Sequence, residues 1–255
     1  MKHPISVVII TLNEAKNIVA CITAAKQVSD DILVIDSGSM DGTVELAQRA
    51  GARVIDHVWL GFAQTKNWGN QMAKHDWILS LDADEVLSGE LIQTFHNIEF
   101  ASDNVYSFNR LNNYCGHWIK HCNWYPDYVN RLFDRKYCAW AGEFVHEKLI
   151  YPSGYQLIKL SGELLHYTYR TAEEHYRKLE KYAFLSAQDR LQKGKKSSKW
   201  KIKVLPILKF LAVYFFHLGI LDGTAGFNIA WREAWYVRRR NEWMIKLSGK
   251  VEERE

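Results

Sequence analysis

Apolar and polar positions alternate in blocks along the first third of the chain. Four short runs of β-branched and aliphatic residues predict strands: 5–10, 31–36, 52–58 and 76–82. The first two are expected to be buried on both faces. Helical stretches lie between them. One should begin near Glu14, one is capped by Asp41 or Thr43, and one covers 65–75. This alternation predicts an α/β fold with a mostly parallel sheet and helices on both faces.

The pattern changes after residue 100. Residues 104–113 and 128–135 predict longer strands of a mixed sheet, and 172–191 predict one amphipathic helix. We therefore expect a catalytic or binding domain over 1–170 and a helical C-terminal region over 171–255.

The most apolar segment is 204–221, which includes Lys209 and His217. A spanning helix needs about 20 mostly apolar residues, and charge inside a membrane is costly. We therefore favour a helix that lies in the membrane interface over one that crosses the membrane. A buried helix in a C-terminal bundle is the alternative.

Composition and charge support the membrane interpretation. The 255 residues are 47% hydrophobic and 24% charged, which excludes a disordered chain. The net charge is only +4, but residues 193–203 carry six lysines and 238–240 are all arginine. Local basic charge of this kind suits an anionic membrane surface. We expect no nucleic-acid partner.

The four cysteines include no CxxC pair, which favours a reducing compartment. The apolar run after Lys2 and His3 is too short for a signal peptide. We therefore expect a cytoplasmic protein that binds peripherally to the inner face of the cytoplasmic membrane.

Polar clusters follow three of the predicted strands: Thr11–Glu14, Asp36–Asp41 and Asp82–Glu85. The carboxyl ends of parallel strands share one edge of the sheet, where open α/β sheets bind ligands. Caps and turns explain any one cluster easily but explain three together poorly. The three clusters therefore indicate a binding site.

Asp82 and Asp84 offer the hard oxygen ligands that Mg²⁺ or Mn²⁺ takes, together with substrate phosphate oxygens. A diphosphate leaving group suits such a metal, because its developing charge must be neutralised.

Asp36 could accept a hydrogen bond from a base N–H or a ribose hydroxyl, with Thr11, Asn13 and Glu14 at the neighbouring strand end. The sequence has neither the GxGxxG fingerprint nor a P-loop, so the site is of another type.

Together, the motifs TLNEAKNI, VIDSGSMDGT, NWGNQMA and LDADE resemble those of inverting family 2 glycosyltransferases with a Rossmann-like GT-A fold. Residues 124–149 and 164–170 resemble a narrower group, the bacterial lipopolysaccharide core glucosyltransferases. Those enzymes add β-1,4-glucose to the first heptose of the inner core. The resemblance implies a UDP-sugar donor and a lipid A–core acceptor.

The resemblance also implies roles along the donor. Asp36 would contact the uracil or ribose, with Thr11 and Glu14 along the nucleotide. Lys66 and Asn67 would approach the nucleotide or its diphosphate.

At the metal, Asp82 would reach the ribose or the ion and Asp84 would bind the ion directly. His166 would complete the metal site, unless it is a core histidine. Arg131 would meet an acceptor phosphate or the diphosphate, unless it forms a structural salt bridge.

Inversion needs a general base near the sugar. The stretch GEFVHEKL offers Glu143, His146 and Glu147. We expect Glu147 to be the base, with Glu143 as the second candidate. The commoner Glu-Asp pair is absent here, and DSGS replaces the usual DDGS, so Asp36 would act alone.

Three alternatives stay open. The first is an enzyme of the same family that acts on another lipid-linked acceptor. The second is a sugar nucleotidylyltransferase, which would need a glycine-rich basic N-terminal loop that this sequence lacks. The third is a non-catalytic membrane-binding module, which would leave the three strand-end clusters unexplained.

Overall fold

A computed structural model of the chain describes residues 4–142 and 147–252, without the side chains of 249–252. These residues form two compact units. Unit 1 comprises the described residues up to Leu111 and those between Asp127 and Tyr167, and unit 2 comprises Asn112–Pro126 and the described residues from Thr168 onward.

The strands are numbered in chain order: β1 Ile5–Thr11, β2 Asp31–Asp36, β3 Arg53–Asp56, β4 Trp77–Asp82, β5 Glu85–Leu87, β6 Asn104–Tyr114, β7 His117–Ile119, β8 Tyr128–Asp134, β9 Ala139–Ala141, β10 Lys148–Ile150 and β11 Gln156–Tyr169. The helices are α1 Ile18–Ala25, α2 Thr43–Arg49, α3 Phe62–Met72, α4 Gly89–Asn97, α5 Ala172–Gln192, α6 Lys199–Leu211 and α7 Gly223–Glu252.

In the main sheet the strand order is β3-β2-β1-β4-β8-β6-β11-β5, and β7 pairs with β6. Strands β1 to β4 pair in parallel, whereas β8 is antiparallel to β4 and β5 is antiparallel to β11. The α/β fold predicted from the alternating pattern is confirmed, and so is the helical C-terminal region. The lone pair β9–β10 is a separate antiparallel ribbon.

Strand β1 shows why five of its seven residues are apolar. Val7 and Ile9 pack in the hydrophobic cluster that contains residues of α1 and α4. Val8 and Ile10 pack in the cluster on the other face, with residues of α3. A strand covered on both faces has no solvent side, so no position in it needs to be polar.

Helix α3 lies unusually close to the sheet at Gly69. A Cβ atom built on Gly69 would lie 2.8 Å from Ile35 Cγ1 and 2.9 Å from Val8 Cγ1. Only glycine allows this approach. The same helix carries Lys66, whose side chain is completely buried.

Two predicted helix starts differ from the structure. The first helix begins at Ile18, not near Glu14, because Asn13 has φ +56° and a turn follows it. The backbone N–H of Asn17 and that of Ile18 both donate to the Glu14 carbonyl at 2.9 Å. Helix α2 has Gly42 at its N-cap with no side-chain cap bond. Asp41 accepts instead from the Thr43 N–H at 3.1 Å.

Unit 2 is built around α5, α6 and α7. Helix α5 begins with a capping box formed by Thr171 and Glu174, which confirms the predicted amphipathic helix. A small core contains Tyr114, Val213 and Ile229.

The apolar segment 204–221 is not one helix, so that prediction is wrong. Helix α6 is followed by a π-helical turn at Ala212–Phe216 and a 3₁₀ turn at Gly219–Asp222. Leu218 between them has φ +54°, a left-handed conformation that ends a helix.

Among the described residues, no single helix is long and apolar enough to cross a membrane. The bent pair Lys199–Phe216 and Gly219–Ser248 meets that test of length and composition only when its two parts are taken together.

Candidate active site

The loops after β1 and β2 are hydrogen-bonded to each other. The Asn13 N–H donates to Ser39 Oγ at 2.8 Å, and Asn13 Oδ1 accepts from the Met40 N–H at 2.9 Å. The Glu14 N–H donates to Thr43 Oγ1 at 2.8 Å. These bonds bring Asn13 and Glu14 to the end of β2, beside Asp36.

Asp36 is 2% exposed and fixes the loop that follows it. Its Oδ2 accepts from the N–H groups of Gly38 and Ser39 at 2.9 and 2.8 Å, and its Oδ1 accepts from Ser39 Oγ at 2.5 Å. Thr11 Oγ1, on the adjacent strand, is buried and has no hydrogen-bond partner among the described residues. An unsatisfied buried hydroxyl is costly, so a ligand that bonded to it would gain affinity.

Two of the three carboxylates in the LDADE motif are neutralised inside the protein. Arg131 Nη2 lies 2.7 Å from Asp82 Oδ2 and 2.6 Å from Glu85 Oε1. Glu85 is completely buried and also lies 3.5 Å from Arg110 Nη1. The Asp82 N–H donates to Glu85 Oε2 at 3.1 Å, which fixes the strand end. Arg131 therefore forms a structural ion pair in this structure.

The charges around Asp82 set its protonation. Burial opposes ionisation of Asp82, but the charges of Arg131 and Lys66 outweigh burial and hold the pKa of this carboxyl well below its usual range. The carboxylates of Asp82 and Glu85 likewise raise the pKa of Arg131 against its burial. Asp82 is therefore an anion throughout the physiological range.

Lys66 and Asn67 are occupied by neighbouring groups. Lys66 Nζ lies 3.1 Å from Asp82 Oδ1 and 3.3 Å from Glu147 Oε1, and 4.7 Å from the centre of the Trp140 ring. Asn67 Nδ2 donates to the Trp140 carbonyl, and the Trp140 N–H donates to Asn67 Oδ1, both at 2.8 Å. Helix α3 therefore holds Trp140 and Glu147 at the edge of the sheet.

Asp84 and His166 come together from distant parts of the chain. His166 Nε2 lies 3.2 Å from Asp84 Oδ2, and both side chains are partly exposed. The backbone explains the meeting, since β11 pairs with β5 and the Tyr167 N–H donates to the Asp84 carbonyl at 2.9 Å.

The residues present fit a divalent metal whose other ligands come from a substrate. In the described part of the chain, no three His, Cys, Asp or Glu side chains are grouped to hold an ion by themselves. Asp84 and His166 provide one carboxylate and one imidazole. Mg²⁺ is commonly bound through one or two carboxylates, with substrate phosphates and water as further ligands. Asp82, by contrast, already has a cation at each oxygen.

A cleft of about 480 Å³ opens beside Asp82 in unit 1. Glu147 lines it and is partly exposed. Of the two candidate bases, Glu147 thus faces a cavity, whereas Glu143 lies outside the described residues, as does His146. The cleft is lined by Asp82, Arg110, Tyr128, Val129, Asn130, Arg131, Trp140, Glu147, Lys148, Leu149 and Tyr151.

Sequence reasoning gave no role to Arg110 or Trp140, and it placed Glu85 in the strand-end carboxylate cluster at the binding edge, whereas the folded chain buries Glu85 against Arg131. Arg110 bridges Glu85 and Asp127, which it meets at 2.8 Å. A charged residue within a predicted strand of the mixed sheet was the available signal for Arg110, because a charge that is buried in a sheet needs a partner. Nothing in the sequence pattern points to Trp140.

The chain is similar to several known proteins. The family model described as glycosyl transferase family 2 matches residues 6–137. An uncharacterised glycosyltransferase of Rickettsia typhi is 31% identical over 235 residues, which cover 88% of this chain and 80% of that protein. The lipopolysaccharide core biosynthesis glycosyltransferase LpsC of Rhizobium meliloti is 29% identical over 247 residues, which cover 92% of this chain and 90% of LpsC.

Among solved structures, glucosyl-3-phosphoglycerate synthase from Mycobacterium tuberculosis matches with 29% identity and a TM-score of 0.31. The match covers 33% of this chain and 34% of the synthase chain. A likeness of that extent carries no argument about the present chain.

Proposed function

The chain belongs to glycosyl transferase family 2, and from that membership we propose that it transfers a hexose, glucose, from a UDP-sugar to a heptose of the lipopolysaccharide inner core. The similarity to LpsC, a glycosyltransferase of lipopolysaccharide core biosynthesis, supports the choice of acceptor. Membership of the family also favours this reading over a nucleotidylyltransferase or a non-catalytic module. Another lipid-linked acceptor is the second candidate, since the family assignment fits it equally.

The observation that carries the proposal is the position of Glu147 in the cleft beside the strand-end carboxylates. In a single displacement, the acceptor oxygen bonds to the anomeric carbon as the bond to the UDP oxygen breaks. The acceptor hydroxyl proton then passes to a base on the side away from the diphosphate. Glu147 takes that proton, and the product has the inverted configuration.

The donor lies at the carboxyl edge of β1, β2 and β4. Asp36 and the Thr11 hydroxyl meet the nucleoside, with Asn13 and Glu14 on the loop beside them. Fixed loops suit this task because little entropy is lost when the nucleotide binds.

Asp84 and His166 would hold Mg²⁺ or Mn²⁺. When bound, the metal neutralises charge that develops on the departing diphosphate. Asp82 and Arg131 fix each other's side chains beside Lys66.

The acceptor places the enzyme at the inner face of the cytoplasmic membrane. Large apolar side chains are exposed at the turn between α6 and α7, including Phe216 at 83% and Leu221 at 64%. Six lysines lie within 193–203. Exposed apolar groups next to basic charge suit peripheral binding to anionic lipid.

Donor hydrolysis tests the proposal. The purified chain is mixed with a panel of UDP-sugars and Mn²⁺, Mg²⁺ or EDTA, and released UDP is measured. We expect metal-dependent release from UDP-glucose above the other sugars. Release from a different UDP-sugar would replace glucose in the proposal. Failure of every UDP-sugar to bind in the presence of metal would refute the nucleotide assignment.

A further inference from the structure

A second cavity, of about 600 Å³, lies between α6 and α7 in unit 2. Its size is in the range of ligand pockets, about 300–1,000 Å³, which are mostly apolar with a few polar groups. The cavity has that composition. It is lined by Ile202, Lys203, Pro206, Ile207, Phe210, Trp231, Ala234, Trp235 and Arg238. We call it the α6–α7 groove.

The sequence builds the groove from two helix faces. Its α6 residues recur at spacings of one, three and four, as do its α7 residues, so each set forms one stripe along its helix. Ala234 is 8% exposed, and its small side chain lies at the base of the groove between larger ones. A bulkier residue there would fill the groove.

The rim of the groove is apolar and open. Ile207 is 61% exposed and Trp231 is 63% exposed. Leu208 and Phe227 nearby in sequence are 53% and 45% exposed. Contiguous exposed apolar surface marks an interaction site, so the occupant must have an apolar part.

The charged residues of the groove are both cations, Lys203 and Arg238. Arg238 Nε also donates to Glu242 at 2.8 Å. Helix α6 carries four lysines and no acidic residue. The occupant should therefore also carry an anionic group. A second copy of the chain fits poorly, because pairing two identical grooves would bring like charges together.

We propose that the α6–α7 groove binds one acyl chain of an anionic membrane lipid, with the lipid phosphate at Lys203 and Arg238. The apolar stripe takes the chain and the two cations take the head group. All residues that line this site belong to unit 2, so its test does not depend on the sugar transfer proposed above.

Calorimetric titration of the full chain with dodecyl phosphate, below its aggregation concentration, tests the site. We expect one dodecyl phosphate per chain. Inorganic phosphate should give no measurable binding, and uncharged dodecyl maltoside should bind roughly tenfold more weakly, because it lacks the charge-assisted bonds.

Two variants separate the apolar and charged parts. Ala234→Leu fills the base of the groove and keeps every charge, whereas Lys203→Gln keeps the shape and removes one cation. Each should weaken dodecyl phosphate binding on the order of tenfold. Lys181→Gln, at an exposed position of α5 outside the groove, is the matched control and should bind like the unmodified chain.

Equal binding by Ala234→Leu and the unmodified chain would overturn the proposal. If Ala234→Leu loses its helical circular dichroism, Ile207→Ser at the exposed rim takes its place in the same comparison. A chain that is dimeric without amphiphile, and that Ala234→Leu converts to a monomer, would assign the groove to a second copy.

The lipid source is tested with mixed phosphatidylcholine and phosphatidylglycerol vesicles, followed by native mass spectrometry of the recovered protein. We expect one retained phosphatidylglycerol on the unmodified chain and none on Ala234→Leu. An unmodified chain that retains no phosphatidylglycerol would contradict the membrane source.

Discussion

Two regions depart, in opposite ways, from the rule that apolar side chains are buried and charged ones are exposed. They are the buried ion pairs around Arg131 in unit 1, and the exposed apolar side chains of α6 and α7 in unit 2. Unit 1 buries Lys66, Glu85 and Arg131 almost completely, although charged side chains usually stay in water. Unit 2 leaves Ile207 and Trp231 more than half exposed, and no residue of α6 is buried.

The contrast shows two ways in which a protein can form a binding site. Buried charge is tolerated when it is paired with opposite charge, and Lys66, Glu85 and Arg131 each have an oppositely charged partner within unit 1. Exposed apolar surface gains free energy only when something covers it, so the surface of unit 2 is completed by a partner. Substitutions in unit 1 should therefore affect catalysis and folding, whereas those at the surface of unit 2 should affect association.

The largest effect is expected on turnover. Glu147→Gln should lower kcat about 10³-fold, since general bases contribute roughly 10²- to 10⁴-fold. Steady-state UDP release with donor and acceptor measures it. Asp30→Asn is the control, because Asp30 lies exposed at the opposite edge of the sheet and should leave kcat unchanged. Turnover of Glu147→Gln within twofold of the unmodified enzyme would remove Glu147 from the mechanism and move the same test to Glu143.

Arg131→Met should test how far unit 1 depends on its buried pairs. Removing one partner leaves Asp82 and Glu85 without their main cation, which should lower the free energy of unfolding by about 3–5 kcal/mol. Arg53→Met breaks a half-exposed pair with Asp31 and should cost about 1 kcal/mol or less. Urea unfolding measures both, and equal values would contradict a special role for Arg131.

Acid should act on the two units in different pH ranges. Burial, together with Arg232 and Lys178, lowers the pKa of His175 in unit 2 to about 3. The unfolded chain binds a proton at this histidine below its ordinary pKa near 6.5, whereas the folded chain does not. Stability is therefore lost as pH falls from about 6.5 towards 3, by at most about 1.4 kcal/mol per pH unit.

Asp82 in unit 1 also has a lowered pKa, but it is an acid, which is charged when it has lost its proton. Its contribution is fully present above the unfolded carboxyl pKa near 3.9 and is lost only below it. When the pH is lowered to 5, amide hydrogen exchange should therefore become faster in α5, whereas exchange in β1 should still be unchanged. His175→Gln should flatten the change in α5, and simultaneous opening of both elements would contradict this order.

The smallest effect is expected at the turn between α6 and α7. Phe216→Ser should lower binding to anionic vesicles roughly tenfold, because burial of a phenylalanine is worth about 1.5–3 kcal/mol. Met40→Ser removes a 92% exposed apolar side chain from unit 1 and should leave vesicle binding unchanged. Flotation measures both variants. Equal loss in the two would mean that any exposed apolar residue contributes, and would refute a defined membrane-binding turn.

The sheet was predictable from sequence because its signal is local. A strand such as 31–36 is apolar at its four central positions, and its polar cluster follows at once, so both the strand and its binding edge can be predicted. The meeting of Asp84 with His166 had no such local signal, since it depends on the pairing of β5 with β11. The family resemblance, rather than the pattern, pointed to His166.

Partners inside the site were less predictable. Arg131 was expected at a phosphate or in a salt bridge, and only the folded chain brings it to both Asp82 and Glu85. The prediction of one helix over 204–221 was wrong for another reason. Hydropathy reports composition, but the left-handed backbone of Leu218 decides where the helix stops. The membrane role of this segment stays a prediction.

Lys66 lies between two carboxylates, Asp82 at 3.1 Å and Glu147 at 3.3 Å. On the proposed mechanism, Glu147 becomes neutral when it takes the acceptor proton, and Lys66 then balances one anion fewer. The net potential around Lys66 and Asp82 therefore becomes more positive while negative charge accumulates on the departing diphosphate. One buried ammonium group thus couples the two halves of the displacement in time, so that formation of the new bond favours rupture of the old one.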